Sequence, residues 1–519
     1  MSIFGRGCRL FIFDYQYFIL YMSSIRRQSF LSLLFIYAGF LIGALNVLFL
    51  FPKYFTAEEF GLTRLLLELS LLLSTLGTMG MIPVSYKFFP FHKRYLTNKK
   101  NDLSFITLMV VLSGLALMLV LLYYFEPLII RKFGYRSPLF IEYYDLIYPL
   151  TIGLTLFSFF EVYAWIIGKT YVSNFLKEFF FRLMSTILII LWVTGMIKGF
   201  DAFANWFSIT YLPPLFLLIF YIWQSKQVPF HIGVSSVTKR LGGKMAGFGL
   251  AFFASSALNA IAKTNDSIIL ASQSTQGLTD TAVFNTATYL ITLMEVPQRS
   301  LISSVTPQIA IAWKDKNMDR LNAIYKKTAL NLLIMGMALI SLIWFNIDSL
   351  VFILGPTYSP ITYLIIVLGA AKIIDMGTGM NSQILMLSKH WKIDLLSNMF
   401  FVISTLALNY ILTREIGVMG PAYGGLISII CFNLIRFLAI WKFYKLQPFS
   451  MHNLKVLVAA MGILILIELF PISGNTIVIS VIKSGLFIFS YGLFVLRTKI
   501  SPDITDLVDK LKARFTKNP

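Results

Sequence analysis

The sequence predicts an all-α polytopic membrane protein with fourteen transmembrane helices, arranged as two six-helix lobes followed by two extra C-terminal helices. The chain has 519 residues, of which 57% are hydrophobic, and its mean hydropathy is +0.76. Charged residues make up 13%, whereas soluble proteins carry about 25%. Apolar runs of roughly 20 residues, enough to cross a bilayer, recur along the whole chain. Such runs satisfy their backbone groups in lipid by forming helices.

The spans divide the chain into lobes. Spans 1 and 7 both contain "ALN" (44–46 and 257–259), and spans 2 and 8 end in "IPVSYK" and "TPQIAIAWK", which agrees with a repeat of six spans. The predicted spans are 30–51, 62–85, 103–125, 145–167, 179–197, 204–223, 245–270, 282–311, 328–345, 360–387, 395–412, 420–441, 456–470 and 477–496. The predicted divisions are a cytoplasmic N-terminal segment (1–29), an N-lobe (30–223), an inter-lobe loop (224–244), a C-lobe (245–441), spans 13 and 14 (456–496) and a tail (497–519).

Lysine and arginine in the loops predict the orientation. With the N-terminus inside, cytoplasmic segments hold 31 of the 44 lysines and arginines and the outer loops hold six. This bias follows the positive-inside rule and predicts that both termini lie on the cytoplasmic side of the inner membrane. The net charge of +20 is therefore mostly a topological signal. Anionic headgroups are sufficient partners for it, and no nucleic acid is expected.

Both ends of the chain carry expectations of their own. Met22 begins "MSSIRRQSF", a basic lead into the first span, so we expect residues 1–21 to be a dispensable extension. The tail (497–519) is predicted to form an amphipathic helix on the inner surface. Its apolar face would consist of Ile504, Leu507, Val508, Leu511 and Phe515.

The sequence favours transport over catalysis. The loops are too short for a soluble catalytic domain, and the chain contains no G-x-x-x-x-G-K-[ST] phosphate-binding loop. The two cysteines and four histidines are widely separated in sequence, so no metal site is suggested. We therefore predict that the protein is not an enzyme and needs no cofactor.

Charged residues inside the predicted spans are the most informative set. A charge in the bilayer costs roughly 3 kcal/mol on insertion scales. Even so, the spans hold four opposite-sign pairs at a spacing of three or four residues, which places both members on one helix face: Arg64 with Glu68, Lys263 with Asp266, Glu295 with Arg299, and Lys372 with Asp375. A single pair could simply neutralise itself. Four pairs in different spans favour a shared polar cavity, while Glu161 stands alone in span 4.

Four segments carry a family resemblance: "FPKYFTAEEFGLTRLLLELSLLLSTLGTMG" (51–80), "KTNDSIILAS" (263–272), "EVPQRSLISSVTPQIAIAW" (295–313) and "IGVMGPAYGGLIS" (416–428). They resemble the multidrug/oligosaccharidyl-lipid/polysaccharide (MOP) flippase superfamily, in its polysaccharide-biosynthesis, O-antigen (Wzx-type) branch. The resemblance implies a MATE/MOP-like fold whose spans 1, 2, 7 and 8 line a central cavity. It also implies flipping of a polyprenyl-pyrophosphate-linked oligosaccharide, such as an O-antigen, capsule or exopolysaccharide repeat unit.

Candidate site residues follow from this chemistry. Pyrophosphate needs cations, and the arginine fork can donate two hydrogen bonds to it. The candidates for substrate binding are Arg64, Lys263, Arg299 and Lys372. Carboxylates beside them could bind a coupling H⁺ or Na⁺, and the candidates are Glu68, Glu161, Asp266, Glu295 and Asp375. We expect a monomer that works with polysaccharide polymerase and export proteins.

Three alternatives stay open. A lipid II-type flippase would use the same pyrophosphate chemistry. A multidrug exporter of the MATE type would share the layout, but cationic drugs favour a cavity dominated by carboxylates, and here acidic and basic groups are balanced. A membrane enzyme of polysaccharide assembly belongs to a different class, and the short loops disfavour it.

Overall fold

A computed structural model of the chain describes residues 24–97, 100–472, 474–502 and 505. Helices dominate these ranges, and no strand occurs in them. The predicted extension (1–21) lies outside the described residues, as does most of the predicted amphipathic tail.

The helices are numbered here in chain order. They are α1 (Ser24–Leu45), α2 (Phe51–Tyr54), α3 (Ala57–Gly77), α4 (Met81–Tyr95), α5 (Leu103–Phe133), α6 (Pro138–Glu142), α7 (Ile147–Ile166), α8 (Thr170–Asn174), α9 (Phe181–Val193), α10 (Phe200–Ser208), α11 (Leu212–Ser225), α12 (Ser236–Gln273), α13 (Leu278–Thr292), α14 (Glu295–Lys314), α15 (Met318–Leu354), α16 (Ile361–Gly377), α17 (Asn381–Met386), α18 (Trp391–Ile416), α19 (Met419–Tyr444), α20 (Met451–Leu469) and α21 (Thr476–Arg497).

Two compact units divide the chain. The first comprises the residues through Tyr54, Leu66–Gly134 and Leu139–Ala260. The second comprises Phe55–Leu65, Tyr135–Pro138 and the residues from Ile261 onward. The boundaries of the predicted lobes, loops and tail remain predictions.

The predicted fold class is confirmed, with a difference in the number of long spans. Within the described ranges, twelve helical segments are long and apolar enough to cross a membrane. Predicted spans 5 and 8 are not among the twelve: α9 and α13 are short, and α14 is long enough but less apolar. A π-helical turn, Phe175–Phe180, precedes the 13-residue α9, and span 8 is divided into α13 and α14.

Pro297 marks a helix start. A proline in a helix interior kinks the helix, but Pro297 does not lie in a helix interior. Helix α13 ends at Thr292, and α14 begins at Glu295, so Pro297 falls in the first turn of α14. The first turn of a helix has amides without partners inside the helix, and a proline is tolerated there because it has no N–H to leave unpaired.

A buried polar cluster joins two parts of the first unit. His92, near the end of α4, is fully buried, and its Nε2 lies 3.0 Å from Thr238 Oγ1 in the first turn of α12. The amide of Ser235 donates to Asp102 Oδ2 at 2.6 Å. Burial alone would raise the pKa of Asp102, but hydrogen bonds from Ser235 and Thr238 outweigh burial and lower this pKa below its ordinary value.

The two C-terminal helices pack within the second unit. Phe487 of α21 is fully buried, and its ring lies 5.8 Å from the ring of Phe345 on α15. Val456 and Ala460 on α20 belong to the same apolar cluster. The predicted spans 13 and 14 therefore have an apolar core of their own with α15.

Candidate functional site

Five side chains of the second unit form a cluster at the break between α13 and α14. Glu295, Gln298 and Arg299 come from the first two turns of α14, and Lys372 and Asp375 come from α16. We call this set the Glu295 cluster. The spacing of three and four residues places the α14 members on one face of that helix.

The contacts within the Glu295 cluster form a continuous network. Arg299 Nη2 lies 2.7 Å from Glu295 Oε2, and Lys372 Nζ lies 3.5 Å from Glu295 Oε1. Lys372 Nζ also donates to Gln298 Oε1 at 2.8 Å and lies 3.5 Å from Asp375 Oδ2. Gln298 closes the network because its Nε2 donates to Asp375 Oδ2 at 3.0 Å. Two cations therefore balance two carboxylates.

Exposure differs sharply across the cluster. The Arg299 side chain is 71% exposed and that of Glu295 is 37% exposed, whereas the Lys372 side chain is 13% exposed. Arg299 is therefore the member that an incoming ligand would meet first. Lys372 lies deeper and holds the carboxylates in place.

A second polar group lies where α12 meets α18. Asn409 is fully buried, and its Nδ2 donates to Asp266 Oδ1 at 2.5 Å. Thr405 and Thr413 lie one turn before and after Asn409, on the same face of α18, and both are buried. Among the described residues, Asn409 Oδ1 and both threonine hydroxyls have no hydrogen-bond partner. We call these four residues the Asp266 site.

The predicted pairing of Lys263 with Asp266 is not observed. Within the described part of the chain, no salt bridge joins them, and the Lys263 side chain is exposed. The carboxylate faces α18 instead, because Asn409 supplies its hydrogen bond.

The other predicted residues occupy separate places. Arg64 and Glu68 lie on α3 and are half-buried, and the Arg64 guanidinium lies 5.0 Å from the centre of the Phe60 ring. Glu161, which stands alone in sequence, forms a salt bridge of 2.9 Å with Lys177 of the π-helical turn. The Glu161 side chain is nearly buried, so its charge is compensated within the first unit.

Sequence reasoning missed several members of these sites. Gln298 and Asn409 carry no charge, so a search for charges inside spans passes over them. A signal was nevertheless present, because Gln298 lies between Glu295 and Arg299 in the sequence. Asn409 lies 143 residues from its partner, and no local spacing predicts such a contact.

Comparison with known proteins defines the class of fold. No protein-family model matches the sequence, and no curated protein matches it. Among solved structures, the lipid II flippase MurJ in an inward closed conformation is similar over 91% of this chain and 99% of its own, with 16% identity and a TM-score of 0.69. An inward-facing MATE family multidrug resistance transporter of the MOP superfamily is similar over 82% of this chain and 95% of its own, with 14% identity and a TM-score of 0.58.

An outward-facing MATE family transporter gives a further match. It covers 84% of this chain and 97% of its own, with 12% identity and a TM-score of 0.53. The protein therefore has a MurJ- and MATE-like fold. At these identities the likeness establishes the fold alone, so function has to be argued from the site.

Proposed function

We propose that this protein is a flippase for polyprenyl-pyrophosphate-linked oligosaccharides. It would move the repeat unit of an O-antigen, capsule or exopolysaccharide from the inner to the outer leaflet of the cytoplasmic membrane by alternating access. A pyrophosphate and its sugars cannot cross hydrocarbon unaided, because each unpaired polar group costs several kcal/mol there. The protein must therefore supply polar contacts along the way.

The observation that carries this proposal is the exposed guanidinium of Arg299. The Glu295 carboxylate holds it at 2.7 Å, while most of its side chain stays accessible. A guanidinium presents several N–H donors in a planar fork, which suits two phosphate oxygens at once. We infer that pyrophosphate displaces Glu295 from Arg299. Arg64 and Lys263 remain proposed as further contacts for the headgroup.

The Asp266 site supports ion coupling. A partly buried carboxylate, an amide oxygen and two hydroxyls supply oxygen ligands of the kind that small hard cations prefer. We propose that Na⁺ or H⁺ binds here, and that Asn409 turns its amide oxygen toward Na⁺ when the ion is bound. Of the carboxylates predicted from sequence, Asp266 is therefore our first choice for the coupling group.

A lipid II-type flippase is the second candidate, favoured by the similarity to MurJ over nearly the full length of both chains. Both substrates carry a pyrophosphate, so Arg299 would serve either one. Complementation separates them. We expect the protein to restore surface glycan in a strain that lacks its repeat-unit flippase, with the matching glycosyltransferases present. Rescue of a strain depleted of its lipid II flippase, without restored glycan display, would identify lipid II as the substrate.

The proposed orientation is tested by labelling. In a chain with Cys8 and Cys431 replaced by serine, Tyr135→Cys should react with an impermeant thiol reagent in intact cells, because Tyr135 is 95% exposed in a predicted outer loop. Ile232→Cys is the matched control, since Ile232 is 73% exposed in a predicted inner loop. Labelling of Ile232→Cys in intact cells would contradict cytoplasmic termini.

A further inference from the structure

Three side-chain oxygen atoms surround the Lys372 ammonium. Its ammonium lies 2.8 Å from the amide oxygen of Gln298, 3.5 Å from Asp375 Oδ2 and 3.5 Å from Glu295 Oε1. The side chain is 13% exposed. An amide oxygen and two carboxylates also form the set of ligands that a small hard cation takes.

We propose that the Lys372 ammonium is a built-in cation that fills the position a free alkali ion would otherwise occupy in the Glu295 cluster. A lysine ammonium is a compact point charge with three donors, and here three oxygens are within reach of it. The lysine therefore closes this cluster to the coupling ion. The inference deepens the proposed function, because it leaves the Asp266 site as the place for ion coupling.

The charges of the cluster explain what this arrangement achieves. With Arg299 and Lys372 against Glu295 and Asp375, the cluster is neutral before substrate arrives. When pyrophosphate engages Arg299, Glu295 keeps a cation because Lys372 is already within 3.5 Å of it. The released carboxylate then needs neither a proton nor a sodium ion. Substrate binding and ion binding occur in this way at separate places of the second unit.

Gln298 has a positioning role in this inference. It accepts from Lys372 through Oε1 and donates to Asp375 through Nε2 at 3.0 Å. The amide thus fixes the ammonium beside the carboxylate and prevents it from swinging toward solvent. The amide would remain as an oxygen ligand if the lysine were removed.

Removing the lysine is therefore the test. In the Lys372→Met variant the two carboxylates and the Gln298 oxygen lose their cation, and free Na⁺ or Li⁺ should take its place. The purified protein is unfolded by heat at constant ionic strength, with choline replacing the alkali ion. The Lys372→Met variant also carries Asp266→Asn, which removes the carboxylate of the Asp266 site. We expect Asp266→Asn alone to give a Tm independent of Na⁺, and the double variant to gain about 2 °C at saturating Na⁺.

Two further variants keep the test decisive. Lys372→Gln, also combined with Asp266→Asn, retains a polar contact to Gln298, and it should fold even if the methionine variant does not. Lys392→Met changes an exposed lysine on α18 and should leave the sodium response unaltered. If the Lys372→Gln double variant responds to Na⁺ no more than Asp266→Asn does, or responds equally to choline, Lys372 is not a built-in cation.

The outcome separates this inference from the proposed function. If the unmutated protein shows no response to Na⁺ or pH that Asp266→Asn removes, the proposed coupling site is wrong. Sodium stabilisation that appears only after Lys372 is replaced would still support the built-in cation.

Discussion

The second unit contains two arginine–carboxylate pairs with opposite surroundings. Arg436 Nη2 lies 2.5 Å from Asp394 Oδ1, and the two side chains are 5% and 11% exposed. Arg299 and Glu295 are almost as close, but they are 71% and 37% exposed. The Arg436 guanidinium has a further hydrogen bond to Ser397 Oγ and lies 3.7 Å from the centre of the Phe432 ring.

Burial thus distinguishes a pair that holds helices together from a pair that can open. Arg436 lies on α19 and Asp394 on α18, so their bond ties two helices. Arg299 and Glu295 lie on the same helix, and breaking their bond separates no helices. A charge inside a span is therefore a poor guide to function until its exposure is known.

The largest expected effect breaks the buried pair. Arg436→Ala leaves the Asp394 carboxylate buried without its cation, which typically costs about 3–5 kcal/mol. We expect strongly reduced membrane abundance and a lower Tm in detergent. Arg414→Ala, which removes an exposed arginine from α18, is the matched control and should be close to neutral. Normal abundance of Arg436→Ala would mean that exposure does not separate the two pairs.

The next largest effect concerns transport by the exposed pair. Arg299→Ala should keep its abundance but lose glycan display by roughly 10- to 100-fold, because a charge-assisted contact to pyrophosphate is lost. Arg299→Lys retains the charge without the planar fork, so its glycan display should lie between that of Arg299→Ala and that of the unmutated protein. Surface glycan is measured with membrane abundance checked by blot. Arg320→Ala, an exposed arginine of α15, serves as control. Unaltered display by a stably inserted Arg299→Ala would make the pair structural.

A third prediction uses two adjacent glycines of α19. A Cβ at position 424 would overlap Asn409 Oδ1, so Gly424→Ala should push the amide out of the Asp266 site. We expect a loss of the dependence of transport on Na⁺ or pH. At position 425 a Cβ meets nothing within 4 Å, so Gly425→Ala should behave like the unmutated protein. Equal effects of the two substitutions would argue against an ion site at Asn409.

The smallest expected effect lies in the first unit. The pKa of Asp102 is lowered from its ordinary value of 3.8, which means that the folded protein stabilises the ionised carboxylate. This stabilisation is complete at neutral pH and is lost as the pH falls through the folded-state pKa. Asp102→Asn should cost about 1 kcal/mol at pH 7.

The acid side of the Tm profile checks this prediction. Between pH 7 and pH 3, Asp102→Asn should show a shallower decline than the unmutated protein, because it has no carboxylate to protonate there. Parallel profiles would show that Asp102 does not contribute in this way.

The sequence predicts local pairs well and distant ones poorly. The spacing of Glu295 with Arg299 and of Lys372 with Asp375 is a helical spacing, and the structure brings each pair together. Lys263 and Asp266 have the same spacing, yet Asp266 bonds to Asn409 on another helix. Periodicity fixes the face of a helix, whereas the choice of partner depends on which helix packs there.

The hydrophobic pattern of the sequence also did not predict where the helices are interrupted. Hydrophobicity alone makes 282–311 one long span and 179–197 another. Pro297 marked the place of the first interruption, but a proline in a helix interior and a proline in a first turn look alike in a sequence.

The junction between α13 and α14 has a consequence for motion. The amides of Leu293 and Met294 bond to carbonyls three residues back, and the bond from Val296 N to Leu293 O is stretched to 3.4 Å. Because the regular ladder is already interrupted here, a change of angle between the helices would sacrifice little hydrogen bonding. These amides should exchange with deuterium far sooner than those in the middle of α15. Arg299, one turn beyond, could then swing with its helix at low energetic cost.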